Sequence, residues 1–223
     1  MQLSALVLLT GASLTAAHYS LDYPEWRVDS LGSEDEAISQ WNYPCAGAAP
    51  NSGNRTDWPL TGGSLTLGLH HPWTYVFVNL GMGSNVSSFN VSLTDPFWNA
   101  TGNGTLCAQK MTLPPHLEVS DGDEASIQVV TLGETGNALY NCADIRFSAD
   151  AAVLEEGDGE GMCKSVNVTV GEVAGAAAAA NGTDAGGDGD GASAAAAGLS
   201  VNALATAGSA VLAMVAVGCG VGL

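Results

Sequence analysis

Four histidines are the residues of this chain best suited to hold a metal ion, and His18 is the most informative. It follows an apolar stretch, Leu3 to Leu9, and the small residues Thr15-Ala16-Ala17, a pattern typical of a removable secretion signal. Cleavage there would make His18 the first residue, whose α-amine and ring Nδ1 can close a chelate ring on one metal ion. Copper(II) favours such nitrogen donors. The alternative is that some residue must stand first after cleavage, and this one happens to be histidine.

The other histidines occupy less distinctive positions. His70 and His71 end a predicted strand just before Pro72, which stops regular strand pairing, so one of them could reach the rim of a sheet. Adjacent residues of a strand face opposite sides, which leaves the choice between the two histidines open. A His-His-Pro corner can equally be a simple turn. His116 follows Pro114-Pro115 and is expected in a solvent-facing loop.

The elements that must position these histidines have the periodicity of strands. Apolar residues alternate from Ser64 to Leu69, Thr74 to Leu80 is aromatic and β-branched, and Ala125 to Leu132 repeats the pattern. Turn residues separate these runs at short intervals, and Ser33 to Trp41 is the one segment expected to form a short helix. The predicted fold is all-β, an immunoglobulin-like antiparallel β-sandwich with two disulfides.

The carboxyl end of the sequence indicates a lipid anchor. Leu204 to Leu223 is apolar and uncharged, and it is preceded by a spacer of small residues, Ala194 to Ala203. This is the pattern of a glycosylphosphatidylinositol attachment signal, with Gly191 as the predicted attachment residue and Ser193 or Asn181 as alternatives. A membrane-spanning helix is the competing interpretation. The absence of Lys or Arg after the tail argues against it, because nothing would hold a cytoplasmic end.

These signals divide the chain into a signal peptide at 1–17, a β-sandwich domain at 18–170, a low-complexity stalk at 171–191 and a propeptide at 192–223. The formal net charge is −18, and every charged residue lies between the two predicted signals. Nucleic acid is therefore excluded as a partner, whereas an acidic surface concentrates cations. The sequence also lacks the nucleophile elbow, the HExxH helix and the phosphate-binding glycine loop, so a hydrolase or nucleotide enzyme has no support.

Cysteines and sequons fit an extracellular protein. Cys219 lies in the predicted propeptide, and the remaining four cysteines predict two disulfides, for which three pairings are open: Cys45, Cys107, Cys142 and Cys163. A metal-thiolate site is the alternative, but no CxxC spacing supports it. Seven N-glycosylation sequons are predicted, at Asn54, Asn85, Asn90, Asn99, Asn103, Asn167 and Asn181.

Ordered motifs along residues 18–148 resemble a known family. They are His18-Tyr-Ser-Leu, Tyr43-Pro44-Cys45, Asn54-Arg55-Thr56-Asp57-Trp58-Pro59-Leu60, His71-Pro72, Gly81 and Tyr140-Asn141-Cys142-Ala143-Asp144-Ile145. Together they resemble the fungal copper-acquisition proteins related to lytic polysaccharide monooxygenases. Members of that family are secreted, often carry a glycolipid anchor, and bind copper at an N-terminal histidine.

The resemblance implies a ligand set and a disulfide pairing. It implies a histidine brace, in which the amine and ring of His18 and the ring of His71 hold one Cu²⁺ ion, with His70 in reserve. It also implies Asp57 as an additional carboxylate ligand, although the sequence alone would make Asp57 a turn residue beside Pro59. The implied disulfides join Cys45 to Cys142 and Cys107 to Cys163.

Three functions are therefore compared. The first is a monomeric, non-catalytic copper-binding protein anchored at the cell surface, which retains copper or hands it to a partner such as a copper transporter. The second is a copper enzyme that oxidatively cleaves cell-wall polysaccharide, and the third is a structural wall glycoprotein without metal. The predicted anchor and carboxylate ligand favour the first, because a carboxylate favours Cu(II) over Cu(I) and occupies a position that oxygen would use.

Overall fold

The computed structural model describes residues 18–133, 136–159 and 161–173. All of them belong to one compact unit. The predicted signal peptide, the propeptide, Asn181 and Gly191 lie outside the described residues, as does the predicted stalk beyond residue 173. In the described ranges no helix is long and apolar enough to cross a membrane.

In the described part of the chain, ten strands form two sheets. The smaller sheet is antiparallel, in the order β1-β3-β7, and consists of β1 (Tyr19–Tyr23), β3 (Leu65–Leu69) and β7 (Gly104–Ala108). The larger sheet has the order β10-β6-β4-β8-β9-β2, with β5 paired to β4. Its strands are β2 (Arg55–Pro59), β4 (Trp73–Met82), β5 (Val91–Ser92), β6 (Trp98–Thr101), β8 (Glu124–Leu132), β9 (Ala138–Ser148) and β10 (Thr169–Glu172).

The core lies between these two sheets because alternate residues of the strands are apolar. In β4 the inward-facing Val76, Val78 and Leu80 are completely buried, and the residues between them are half-buried on the outer face. The strands predicted from Ser64, Thr74 and Ala125 are confirmed as β3, β4 and β8. The all-β sandwich is likewise confirmed, with one departure from antiparallel order: β2 runs parallel to β9.

The short helix expected from Ser33 to Trp41 is wrong, since this segment consists of turns and irregular chain. Its side chains bind the local backbone instead: the Ala37 N–H donates to Asp35 Oδ1 at 2.9 Å, and the Asp35 N–H donates to Ser33 Oγ at 3.2 Å. Short polar side chains compete in this way with helical hydrogen bonds.

The disulfide pairing implied by the resemblance is confirmed. Cys45 bonds to Cys142 and joins the loop before β2 to β9, and Cys107 bonds to Cys163 and joins β7 to the segment between β9 and β10. The loops they close span sequence separations of 97 and 56 residues. Loop closure in the unfolded chain predicts a stabilisation of about 2–4 kcal/mol for each disulfide.

A buried ion pair fixes the chain after β1 against the larger sheet. Arg27 donates to Asp144 Oδ1 from Nε at 3.0 Å and from Nη2 at 2.8 Å, and the two side chains are only 2% and 1% exposed. The remaining acceptor positions of Asp144 are also used: Ser126 Oγ donates to Oδ1 at 2.5 Å, and the Asn51 N–H donates to Oδ2 at 2.8 Å. A buried pair stabilises a fold only when its other polar atoms are bonded in this way.

The same contacts set the charge of Asp144. Burial by itself would raise the pKa of Asp144, but hydrogen bonds from Arg27 and Ser126 and the positive charge of Arg27 outweigh it, so the pKa lies below its ordinary value. A carboxyl group with a lowered pKa in the folded state stabilises the protein above the unfolded-state pKa of about 3.9. That stabilisation is lost as the pH falls through the lowered value.

We therefore predict that Asp144→Asn lowers the free energy of unfolding by about 3–5 kcal/mol at neutral pH, because it leaves Arg27 buried without a counter-charge. Denaturant titration measures this loss, and the fall in stability below about pH 4 should be weaker in the variant. Asp158→Asn is the matched control, because Asp158 pairs with Lys164 at 2.5 Å with both side chains at least half exposed. The control should change stability by less than about 0.5 kcal/mol, and an equally small effect of Asp144→Asn would contradict the prediction.

Candidate metal centre

Three of the four histidines meet at one end of the sandwich. His18, His70 and His71 line a narrow hollow, together with Tyr19, Leu69, Thr74 and Thr131. Strand β1 begins here and strand β3 ends here, and Thr74 and Thr131 come from β4 and β8 of the other sheet. The hollow therefore opens at the rim between the two sheets, where the sequence predicted that a strand-end histidine could reach.

Strand register brings the histidines together. Tyr19 of β1 pairs with Leu69 of β3, so the antiparallel register continued by one residue places His18 opposite His70. His71 is the next residue and is half-buried, whereas His70 is exposed. No sequence motif joins residues 18 and 71, and their proximity is a consequence of this pairing.

Tyr19 anchors the residue after His18 in the core. Its ring is 1% exposed, and its hydroxyl donates to the Val129 carbonyl at 2.6 Å. Burial raises the pKa of Tyr19 well above its ordinary value, although hydrogen bonding with Asn141 acts in the opposite direction. The hydroxyl therefore keeps its proton and remains a donor, and β1 is fixed at the end that adjoins His18.

Gln40 holds the backbone of the same residue. Its Oε1 accepts the Tyr19 N–H at 3.2 Å, and its Nε2 donates to the Tyr19 carbonyl at 2.6 Å and to Ser30 Oγ at 3.0 Å. Gln40 is 1% exposed, and its own carbonyl accepts the Tyr140 N–H at 2.8 Å. This residue lies in an irregular loop, and sequence reasoning missed it because no local pattern marks it.

The hollow contains one buried hydroxyl that lacks a bond. Thr131 Oγ1 has no hydrogen-bond partner within the described residues, whereas Thr74 Oγ1 donates to the Leu132 carbonyl at 3.0 Å. A buried polar atom without a partner costs free energy, so such atoms mark places where a ligand or water can bind. Imidazole rings beside a free hydroxyl form a donor set that fits copper(II).

No group of three or more His, Cys, Asp or Glu side chains able to hold a metal ion is found in the described ranges. A histidine brace does not require one, because its third nitrogen is the α-amine of the first residue. In the described residues, the imidazole rings at the hollow are those of His18, His70 and His71.

Asp57 is not brought to this hollow. It lies exposed on β2, and its carboxylate pairs with Arg146 of β9 at 2.6 Å. Its other neighbour is Tyr23, at the far end of β1: burial and, to a lesser extent, the negative charge of Asp57 raise the pKa of Tyr23. Tyr23 is five residue steps along the strand from His18, a distance of about 17 Å in extended chain. The carboxylate ligand at Asp57 stays a prediction.

His116 lies away from the other three histidines. It occupies an exposed turn after Pro114-Pro115, as expected, and lines a different surface cavity with Asp95 and Leu113. It therefore serves as a matched control for experiments on the hollow.

Comparisons with known proteins relate this chain to copper acquisition factors and to lytic polysaccharide monooxygenase-like proteins. The family model described as "Copper acquisition factor BIM1-like" matches residues 16–167. A lytic polysaccharide monooxygenase-like protein X325 of Aspergillus fumigatus is 31% identical over 200 residues, which cover 77% of this chain and 83% of its own. One of the same name from Hypocrea jecorina is 37% identical over 167 residues, covering 66% and 71%. Copper acquisition factor BIM1 of Cryptococcus neoformans var. grubii is 29% identical over 157 residues, covering 64% and 65%.

Proposed function

The chain belongs to the BIM1-like copper acquisition factor family, and from this premise we propose that it binds one copper(II) ion through His18 and His71 at the cell surface. The observation that carries the proposal is that both histidines line one hollow at the start of β1. In the mature protein the donors are the α-amine and ring of His18 and the ring of His71. His71 is preferred over His70 because it is half-buried beside Thr74 and Thr131.

The surroundings of the hollow support tight binding. A ligand held before the metal arrives loses less conformational entropy on binding. Tyr19 and Gln40 together fix the backbone one residue from the proposed chelate: the Tyr19 hydroxyl donates to the Val129 carbonyl, and the Gln40 side chain bonds both the N–H and the carbonyl of Tyr19. His18 directly precedes the strand that these two residues fix. Cleavage before His18 would convert its backbone nitrogen into a free amine at that position.

Copper is the cargo of the proposed function. The predicted secretion signal would carry the domain out of the cell, and the predicted glycolipid anchor at Gly191 would hold it on the outer membrane surface. The net charge of −18 would attract copper cations to the monomeric protein. Release to a membrane copper transporter then requires the two imidazoles to exchange for the ligands of that partner.

Oxidative cleavage of polysaccharide is the second candidate, because several relatives are named lytic polysaccharide monooxygenase-like. We propose that this chain binds copper without such cleavage. Support comes from the predicted anchor, since a degradative enzyme gains little from attachment to its own cell, and from the name of the Cryptococcus relatives, copper acquisition factor.

The N-terminal amine gives the most direct test. We predict that one extra residue before His18 weakens Cu(II) binding at least tenfold, since loss even of groups that only support metal ligands costs about 10–100-fold in affinity. Competitive titration of the secreted protein against the extended form measures the ratio. Sequencing the terminus of the secreted protein establishes where cleavage occurs. Equal affinities of the two forms would exclude the amine chelate.

Substitutions identify the remaining ligands. We predict that His71→Ala changes the Cu(II) electron paramagnetic resonance spectrum and that His116→Ala does not, because His116 lies outside the hollow. A change with His70→Ala in place of His71→Ala would assign the second imidazole to His70. In the same series, Asp57→Ala should change the spectrum if Asp57 is a ligand. An unchanged spectrum would restrict the side-chain ligands to the histidines.

Cleavage is tested with the copper-loaded protein. Incubation with reductant, peroxide and chitin, glucan or cellulose should give no oxidised oligosaccharides above the level of the form extended before His18. Mass spectrometry of the soluble products provides the measurement, with a known monooxygenase as the positive control. Products that appear with the native terminus and vanish in the extended form would establish the enzyme in place of the copper carrier.

A further inference from the structure

A row of aromatic side chains lies on the outer face of the larger sheet. Trp73 and Tyr75 of β4 contact each other with ring centroids 5.3 Å apart. Phe97, just before β6, contacts Tyr75 at 5.4 Å and stacks on Phe77 at 4.6 Å. We call these four residues the aromatic row. All four are half-buried, so part of each ring reaches the surface.

On the same face of the larger sheet, strand β9 is covered by a loop. Over β9, the loop that carries Tyr43 and Cys45 packs on the sheet: Tyr43 contacts Tyr140 at 5.3 Å, and Cys45 is bonded to Cys142. The aromatic row lies over β4 and β6, on the other side of β8. A contiguous group of partly exposed rings on a secreted domain requires an explanation, because apolar patches of this kind mark interaction sites.

Asn99 stands beside the aromatic row. It is the register partner of Tyr75 across the β4–β6 ladder and lies two residues after Phe97 on the same face of the strand. On its other side the register partner is Gly171 of β10, where an added side-chain carbon would meet nothing within 4 Å. A group attached to Asn99 would therefore have open space on one side and aromatic rings on the other.

Two observations set Asn99 apart from the other predicted glycosylation sites. Its Oδ1 is buried and has no hydrogen-bond partner within the described residues. It is also half-buried, whereas the other sequon asparagines of the described chain are exposed, namely Asn54, Asn85, Asn90, Asn103 and Asn167. An amide held among aromatic rings in this way is placed to orient whatever is bonded to it.

We propose that Asn99 carries an N-linked glycan whose first N-acetylglucosamine packs on Tyr75 and Phe97 and stabilises the folded domain. Thr101 completes the acceptor sequence Asn99-Ala100-Thr101. In the covalent step, Asn99 Nδ2 loses a proton and bonds to the anomeric carbon of a lipid-pyrophosphate-linked oligosaccharide, and the lipid pyrophosphate leaves. The apolar C–H face of the sugar then covers rings that the chain itself leaves partly exposed.

This inference depends on passage through the secretory pathway, which the proposed function also requires, and it does not depend on copper. The two can therefore fail separately. Secreted full-length protein from a fungal host that is glycosylated elsewhere but unmodified at Asn99 would overturn the glycan and leave copper binding intact. Glycopeptide mass spectrometry measures the occupancy of each sequon, and we expect Asn99 to be modified in most molecules.

Stability distinguishes a packed glycan from an ordinary one. Asn99→Gln should lower the melting temperature by about 2–4 °C, the shift of a contact of aromatic-pair strength in a domain of this size. Thr101→Val also removes the acceptor while keeping Asn99, and it should reproduce the loss. Asn103→Gln, which removes an exposed sequon, is the control and should not. Trimming every glycan to its first N-acetylglucosamine should preserve the melting temperature, because only that sugar meets the rings.

A double-mutant cycle tests the contact itself. Phe97→Leu should lower the melting temperature more in the glycosylated protein than in the Asn99→Gln background, since only the former loses a sugar contact as well as ring contacts. Equal losses in both backgrounds would show that the sugar does not pack on Phe97 and would overturn the proposal. Unmodified Asn99 together with binding of soluble chitin or glucan oligosaccharides to the aromatic row would also overturn it, in favour of an external carbohydrate.

Discussion

The buried charge of Arg27 is the constraint on which the arrangement of this chain depends. Because Arg27 is buried, it needs the counter-charge of Asp144 beside it. Ser126 donates to the Asp144 oxygen that Arg27 also bonds, and the Asn51 N–H donates to the other oxygen. Arg27 Nη1 also donates to Cys45 Sγ at 3.1 Å, and the Arg27 N–H donates to the Cys142 carbonyl at 2.8 Å. The chain after β1, the disulfide and β9 are thus held at one point.

The position of His18 follows from this constraint and a second one at the opposite end of β1. The Arg27 network holds the chain that follows the strand, and Tyr19 and Gln40 hold its first residue. A strand fixed at both ends cannot slip by one residue, and a slip would move every side chain to the other face. The register that sets His18 opposite the β3 end is therefore secured by contacts remote from the hollow as well as by contacts beside it.

Sequence patterns predicted the parts of the fold that are local. Alternation of apolar residues gave β3, β4 and β8, because one face of each strand is buried against the other sheet. The helix predicted from Ser33 to Trp41 was wrong because side chains of this loop bond their own backbone. Composition alone does not show whether such bonds or helical hydrogen bonds form. Gln40 was not predicted, since its partner Tyr19 is distant in sequence. Asp57 was placed in the ligand set by resemblance alone, and its location beside Arg146 depends on the β2–β9 register.

Two buried polar atoms that lack a hydrogen-bond partner within the described residues lie at the candidate sites of this molecule. Around Arg27 and Asp144 the oxygens of the carboxylate are all bonded, as a purely structural network requires. Three side-chain atoms of the described residues are buried without a partner: Thr131 Oγ1, Asn99 Oδ1 and Asn141 Nδ2. The first lies in the histidine hollow, the second beside the aromatic row, and the third on the residue whose Oδ1 accepts from Ser30 next to Gln40. Each such atom costs free energy, and the proposed metal and the proposed glycan would lie beside the first two, whereas Asn141 belongs to neither site.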